Sequence, residues 1–433
     1  MIPPIPAFDD LESIADEVRR FRARGRVIGG SGTTLTAVLP HARIGEVVET
    51  CTPDAALRAE VVAFRDRSVL LAPYDRLEGA GPGIEVRRVA GRAAVGCGEA
   101  LLGRVLDGIG RPLDGAPPAR LDACPLHRSP PSVLRRAEVQ AALPVGVRTI
   151  DALMTLGRGQ RLGLFAGPGA GKSTLLDQLA DGTSADVVVR CLVGERGREV
   201  RATIGDGVSD RTVLVAATSD QPSLVRLRAP FVATAIAEWF RDRGADVLLL
   251  VDSLTRFARA QRELGLEIGE PPTRHGYPPS VFSTLPRLLE RAGPSDRGSI
   301  TALHTVLVAG GDERDDPIAD EARSLLDGHV VLDGDIGARG RWPAIDVGRS
   351  LSRVMNDVVT SDHARHARRI RERIAAYERV RDLIAMGAYE PGTDEVADRA
   401  IATHEEIEAF LRQERDERAP WMETQRRMET LAP

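Results

Sequence analysis

The stretch RLGLFAGPGAGKSTLL, residues 161–176, changes character twice. It opens on an apolar run, passes through a loop of small residues and continues into the helix-forming STLLDQLA. A buried strand, a glycine-rich loop and a helix in that order make a cradle for phosphate. Glycine takes positive φ at little cost, so the loop can fold around phosphate oxygens. The N–H groups of the helix start then point at the anion. This reading makes Gly167, Pro168, Gly169, Ala170, Gly171, Lys172, Ser173 and Thr174 the phosphate-binding segment of a nucleotide site. Lys172 reaches the β- and γ-phosphates, and the Ser173 hydroxyl is placed for Mg²⁺. The pattern G-x-x-x-x-G-K-[ST] is met except at its first position, where Ala166 stands.

Lys172 is the one lysine of the chain; the rest of the 58 basic residues are arginine. A coding bias accounts for the arginine but not for where the lysine is kept. An ammonium is a compact point charge that fits a concave nest, whereas a guanidinium is planar and larger.

Working outward, short apolar runs recur at RLGLF, DVVVRCLV, RTVLVAA, DVLLLVD and TALHTVLV, with helical stretches such as 172–182 and 230–242 between them. Buried strands alternating with helices predict an α/β domain with a parallel sheet covered on both faces. DVLLLVD ends on Asp252, and an acid at that strand end can hold Mg²⁺ through water. Before this domain, residues 25–93 carry short β-prone pieces between Gly, Pro and Asp turns, which predicts a small β-barrel or sandwich. Residues 8–22 place Phe8, Leu11, Ile14, Ala15, Val18 and Phe21 at helical spacing, so residues 1–24 are expected to hold an amphipathic helix. After 348 the chain is expected to be helical. One face is carried by Ile370, Ile374, Tyr377, Val380 and Ile384, and a second by Val396, Ala400, Ile407 and Phe410.

The chain has 433 residues, too many for a single compact core, and a net charge of −5. That balance argues against a protein built around nonspecific nucleic-acid binding. No apolar run is long enough for a membrane span. The N-terminus lacks the basic start and apolar run of a signal peptide. Cys51, Cys97, Cys124 and Cys191 are scattered without C-x-x-C spacing and read as reduced thiols of a cytosolic protein. His363 and His366 lie three apart on an expected helix and are assigned to a solvated face rather than to a metal.

The longer motifs GLFAGPGAGKSTLL, GERGREV (194–200), VDSLTRFARAQRE (251–263), GYPPSVFSTLPRLLERAG (276–293), DPIADEARSLLDGHVVL (316–332) and WPAIDV (342–347) resemble the ATPases of type III secretion. These are the injectisome ATPase and the flagellar export ATPase, relatives of the rotary F1 catalytic subunit. The resemblance spans residues 25–415 and includes Ala166. It implies a RecA-like P-loop core (94–347), an N-terminal β-barrel and a C-terminal helical domain (348–433). It implies ATP and Mg²⁺ as cofactors, and a homo-oligomer, a ring of six, with nucleotide at the interfaces. In that frame Lys172 and Ser173 serve the phosphates and Mg²⁺, and Asp252 is the metal-holding acid. Glu195 is the catalytic base, Arg353 of SLSR is a finger given to a neighbour, and Trp342 stacks on adenine.

The resemblance further implies several partners at the inner-membrane face of a secretion apparatus. These are a stator-type regulator on the N-terminal helix, a central stalk protein against the proline-stiffened loop 269–282, an export-gate membrane protein, and secreted substrates with their chaperones. GTTLTAVLPHARIGE (32–46) resembles the injectisome branch more than the flagellar one. Departures are RATIG after GERGREV, Asp333-Gly334 after GHVVL, and Ala309 where an acid is common. Two other readings share the core. One is a non-catalytic nucleotide-binding subunit of a rotary-type ring, against which Glu195 counts. The other is an RNA-translocating ring helicase, against which the acidic balance counts.

Overall fold

In a computed structural model the described residues are 24–432, apart from 52–55, 116–119, 133, 135, 206 and 309–315. The helix expected over 8–22 and the Ala309 position lie outside them. Six strands close the N-terminal barrel in the order Gly25–Gly30, Leu35–Val38, Ser68–Pro73, Ala56–Arg65, Glu46–Cys51 and Glu85–Arg92. Val27, Ala37, Val48, Val61, Leu71 and Val86 fill it.

The central sheet runs, from edge to edge, Leu351–Ser352, Gly328–Leu332, Arg161–Ala166, Ser299–Leu307, Asp246–Asp252, Val187–Glu195, Thr212–Thr218 and Val105–Asp107. These strands pair in parallel except for the antiparallel edge pair Gly328–Leu332 with Leu351–Ser352. Their apolar runs are continuous because both faces are covered. Val187, Val189, Cys191 and Val193 join the core under the helices Ser223–Arg241 and Leu254–Glu267. Val188, Leu162 and Leu164 join the opposite core, under Arg148–Leu153 and the loop helix Lys172–Gly182.

The helix expected over 230–242 is observed over Ser223–Arg241, running through Pro230. A proline inside a helix costs roughly 3 kcal/mol. Here Leu224, Val225, Leu227 and Ala229 on the preceding turns are all buried, and that burial outweighs the cost. The chain past 348 first adds the edge strand Leu351–Ser352, and its long helices are Ser361–Ala385, Glu395–Leu411 and Trp421–Leu431. Ala400, Ile407 and Phe410 are buried, but Val396 in the first helical turn is exposed.

The solvated face expected for His363 and His366 is not observed: both are buried. His363 Nε2 lies 2.9 Å from the Ala152 carbonyl oxygen, and its ring stacks on Trp421. Helical spacing alone does not tell which face meets a neighbouring domain. Among the described residues, no helix is long and apolar enough to cross a membrane.

Two buried arginines join the parts. Arg228 pairs with Glu60 of the barrel, where Arg228 Nε donates to Glu60 Oε2 at 3.0 Å and Tyr74 donates to the same oxygen at 2.7 Å. Burial alone would raise the Glu60 carboxyl, but Arg228 and Tyr74 outweigh it and hold the group below its ordinary value. Replacing Arg228 by methionine strands a buried carboxylate and is expected to destabilise by about 3–5 kcal/mol. Adding Glu60→Gln should recover much of that. Denaturant midpoints of the two variants check both steps. At the other end, Arg148 Nη1 donates to the carbonyls of Phe410 and Arg412 at 3.0 and 2.9 Å, fixing the C-terminal helices to the core.

Candidate active site

Every parallel strand ends its run on the same edge of the sheet, so the loops there converge. The loop after Ala166 turns through Gly169 (φ 75°) and Gly171 (φ 81°), both left-handed, and delivers Lys172 as the first residue of its helix. A side chain at Gly171 would be refused twice. The φ disfavours it, and a Cβ would sit 2.6 Å from Cζ3 of Trp342. Ser173 is exposed on the first helical turn.

Asp252 and Glu195 close the adjacent strands, and both are buried. Lys172 Nζ is ion-paired with Asp252 Oδ1 and lies 3.7 Å from Glu195 Oε1. Thr305 donates to Asp252 Oδ1 at 2.6 Å, fixing the carboxylate from the next strand. Gly194 (φ 63°) lies where the pairing register shifts, just before Glu195. Glu195 Oε2 accepts from Arg256 Nη2 at 3.0 Å, while Oε1 is buried with no hydrogen-bond partner among the described residues. Arg256 also donates to the Gly194 carbonyl. Arg256 belongs to the site although no feature of the sequence separates it from the other arginines.

Burial, the neighbouring Glu199 carboxyl and the Asp252 charge push the Glu195 carboxyl up to about 7, against Lys172 and Arg256, which pull it down. A carboxylate with that value accepts a proton near neutral pH. The acid limb of kcat/KM, which reports the free enzyme, is therefore expected near that value. Glu199 stabilises the protonated form of Glu195. Replacing it by glutamine should lower the Glu195 value and move the limb to lower pH. A pH–rate profile of Glu199→Gln that overlays the wild type would refute this coupling.

The oxygen donors available, an exposed hydroxyl at Ser173 and the Asp252 carboxylate, suit Mg²⁺, which takes few protein ligands and keeps its waters. The orphaned Glu195 Oε1 leaves an acceptor for a water beside them.

Trp342 lies over Gly171 and Gly337 and is 42% exposed. It borders a cavity of 350 Å³ that Gly171, Gln178, Arg412, Gln413 and Arg415 also line. Asp333 caps the short helix Gly334–Ala338 by accepting from the Asp335 N–H at 2.9 Å. The Asp333-Gly334 departure thus sits in the support of Trp342. The segment 412–415 was missed in the sequence, where nothing local marks it.

Arg353 is not brought to this site. Its N–H donates to the Asp327 carbonyl at 3.0 Å, and its edge strand pairs Ser352 with Gly328. Gly328–Leu332 runs parallel to the strand that ends in the phosphate loop, so Arg353 is exposed about 13 Å back along the strands.

The sequence matches the ATP synthase alpha/beta family nucleotide-binding domain over residues 146–352 and the type III secretion EscN ATPase C-terminal domain over residues 359–430. It is 50% identical over 411 residues to a type 3 secretion system ATPase of Xanthomonas euvesicatoria, covering 93% of this chain and 92% of that protein. It is 44% identical over 418 residues to the flagellum-specific ATP synthase of Bacillus subtilis, covering 95% and 94%. The assembled ATPase EscN of enteropathogenic E. coli, solved in complex with its central stalk EscO, superposes with a TM-score of 0.88 at 44% identity. That match covers 94% of this chain and all of the other. With a closed barrel, a parallel nucleotide-binding sheet and C-terminal helices in one chain, and identity sustained along its length, the protein belongs to the type III secretion system ATPases, enzymes that hydrolyse ATP for protein secretion.

Proposed function

We propose that the chain hydrolyses Mg·ATP in a homo-oligomeric ring, six-membered as in the reading above, to release or unfold substrates for an injectisome. The observation that carries the catalytic part is the convergence of Lys172, Asp252 and Glu195 at one end of the parallel strands while Arg353 lies at the other end. In this reading Lys172 leaves Asp252 for the β- and γ-phosphates. Ser173 and, through water, Asp252 hold Mg²⁺, which neutralises phosphate charge when bound. Glu195, oriented by Arg256, accepts a proton from the attacking water. Trp342 offers its ring to adenine. Arg353 of one protomer completes the site of the next.

The same reading gives the barrel (25–93) and the ATPase domain (94–347) to the ring. Substrates and chaperones are further partners, and residues 1–24 meet a stator-type regulator. A central stalk would pass loop 269–282, whose residues 271–276 are exposed. EscN's complex with its central stalk EscO supports a partner of that kind. The protein would work in the cytoplasm, held peripherally at the inner membrane beside the export gate. The injectisome assignment rests on residues 32–46, since flagellar relatives match nearly as well as injectisome ones.

A shared site makes specific activity depend on assembly. ATP turnover per protomer should rise with protein concentration as the size measured alongside grows. Flat specific activity across the assembly range would sink the shared site. For the system served, restoring effector secretion to an injectisome strain lacking its ATPase, but not motility to a flagellar one, is the expected pattern.

A further inference from the structure

The side chain of Arg353 is exposed, but the backbone that carries it is held from within. The Arg353 N–H and the side-chain amide of Gln160 share one acceptor, the Asp327 carbonyl, at 3.0 and 3.1 Å. Gln160 Nε2 donates a second time, to Ser352 Oγ at 3.0 Å. Ser352 precedes Arg353, and its hydroxyl donates in turn to the Thr155 carbonyl at 3.0 Å. At the other end of the amide, Gln160 Oε1 accepts from the Gly157 N–H at 3.0 Å. Gln160, Ser352 and Thr155 are all buried. The residue after Arg353 meets the same turn: a Cβ on Gly157 would lie 3.1 Å from Cγ2 of Val354. Both chain neighbours of Arg353 are therefore anchored on residues 155–160.

An apolar side chain would fill the place of Gln160 without desolvating an amide. What the amide adds is geometry, since a buried group with its donors and acceptor committed fixes the orientation of its partners. Its place in the chain matters as much. Gln160 immediately precedes the strand Arg161–Ala166, whose far end opens the phosphate loop. Asp327 is fixed to the same strand start, where its Oδ2 accepts from the Arg161 N–H at 3.0 Å and from Arg161 Nε at 3.1 Å. Six residues of strand, about 20 Å, thus separate this clamp from the phosphates its own protomer would bind.

We propose that Gln160 is a positioning residue for Arg353. It sets the edge strand so that the guanidinium reaches the neighbouring protomer's nucleotide, and it serves that neighbour's site rather than its own. This rests on the shared site proposed above and names what aims its arginine. Displacing a group that meets the reacting atoms by an ångström costs about 10²-fold in rate.

The test is turnover and Mg-loaded ADP binding of the full chain, with Gln160→Met as the variant. It is expected to lower kcat about 10²-fold and to leave ADP affinity at the wild-type level. ADP weakened in step with kcat would mean that Gln160 acts through its own loop, against the proposal. Mixed rings identify the side of the interface it serves. A Lys172→Ala protomer has no working loop but offers an intact arginine, and a Gln160→Met protomer keeps an intact loop. Where the first gives to the second the site is whole, at about a quarter of interfaces in a random ring. The mixture should therefore turn over far faster than either variant alone. A mixture no faster than the mean of its parts would assign Gln160 to its own loop and overturn the proposal. Arg353→Ala mixed with Lys172→Ala is the reference. If that mixture regains turnover and the Gln160→Met mixture does not, the shared site stands and the clamp falls. If neither does, Arg353 serves no neighbour and the parent reading falls with it. Ser352→Ala, which removes a single hydroxyl, covers misfolding of the glutamine variant. Its kcat should fall about 5-fold with the same recovery in mixed rings, and an unchanged kcat would sink the clamp.

Discussion

Arg353→Ala is expected to lower kcat by about 10³–10⁵ while ADP binding stays at the wild-type level. The reason is geometric. Arg353 stands at the start of the strands whose ends carry Lys172, Asp252 and Glu195, so within one protomer it has nothing to act on. An arginine finger stabilises the charge of the transferring phosphoryl group, and in the proposed ring Arg353 would do so for a neighbour. Mixing supplies the decisive version of the experiment. Lys172→Ala protomers lack the loop cation but keep Arg353, and Arg353→Ala protomers have the reverse defect. Each variant alone should be inactive. Randomly mixed rings should place an intact loop against an intact arginine at about a quarter of interfaces and regain turnover accordingly. A mixture as inactive as its parts would show that Arg353 does not act across the interface.

Glu195→Gln is the second large effect, a loss of about 10²–10⁴ in kcat. Glutamine keeps the length of the side chain and an oxygen for Arg256, but it cannot take a proton from water. Nucleotide affinity should hold, because Lys172 remains in the loop for the phosphates and the loop geometry does not involve Glu195. Single-turnover hydrolysis separates the cases. The expected record is normal binding with chemistry too slow to follow on the wild-type timescale. Turnover within a few-fold of wild type would remove Glu195 from the proton acceptor's role.

Much of the architecture was readable because its signals are local. A buried parallel strand writes itself as an apolar run, and DVLLLVD is observed over its whole expected length. Lys172 stood out because one lysine among so many arginines is a rare event in a specific place. The same abundance hid Arg256. Its role depends on reaching the Gly194 carbonyl and Glu195 from another strand's helix, and nothing in RFARAQRE states that. His363 and His366 show the converse. Their helix was read correctly, but which of its faces meets Arg148–Leu153 and Trp421 is a property of domain packing. Arg412 to Arg415 reach the loop helix from some 240 residues away in sequence, joined to it by the Gln178–Glu414 contact rather than by any pattern.

The solitary lysine, held between two carboxylates with only 13% of its side chain accessible, also makes the chain its own chemical reporter. An acylating reagent aimed at primary amines meets the α-amine and one ε-amine, so every internal adduct is an event in the phosphate loop. Protection of that amine by a bound polyphosphate can be read from a single peptide mass, without labels or added residues. The same arithmetic gives a lysine acetyltransferase one internal target. Acetylation there removes the charge the loop exists to present, so the modified and active populations would be mutually exclusive.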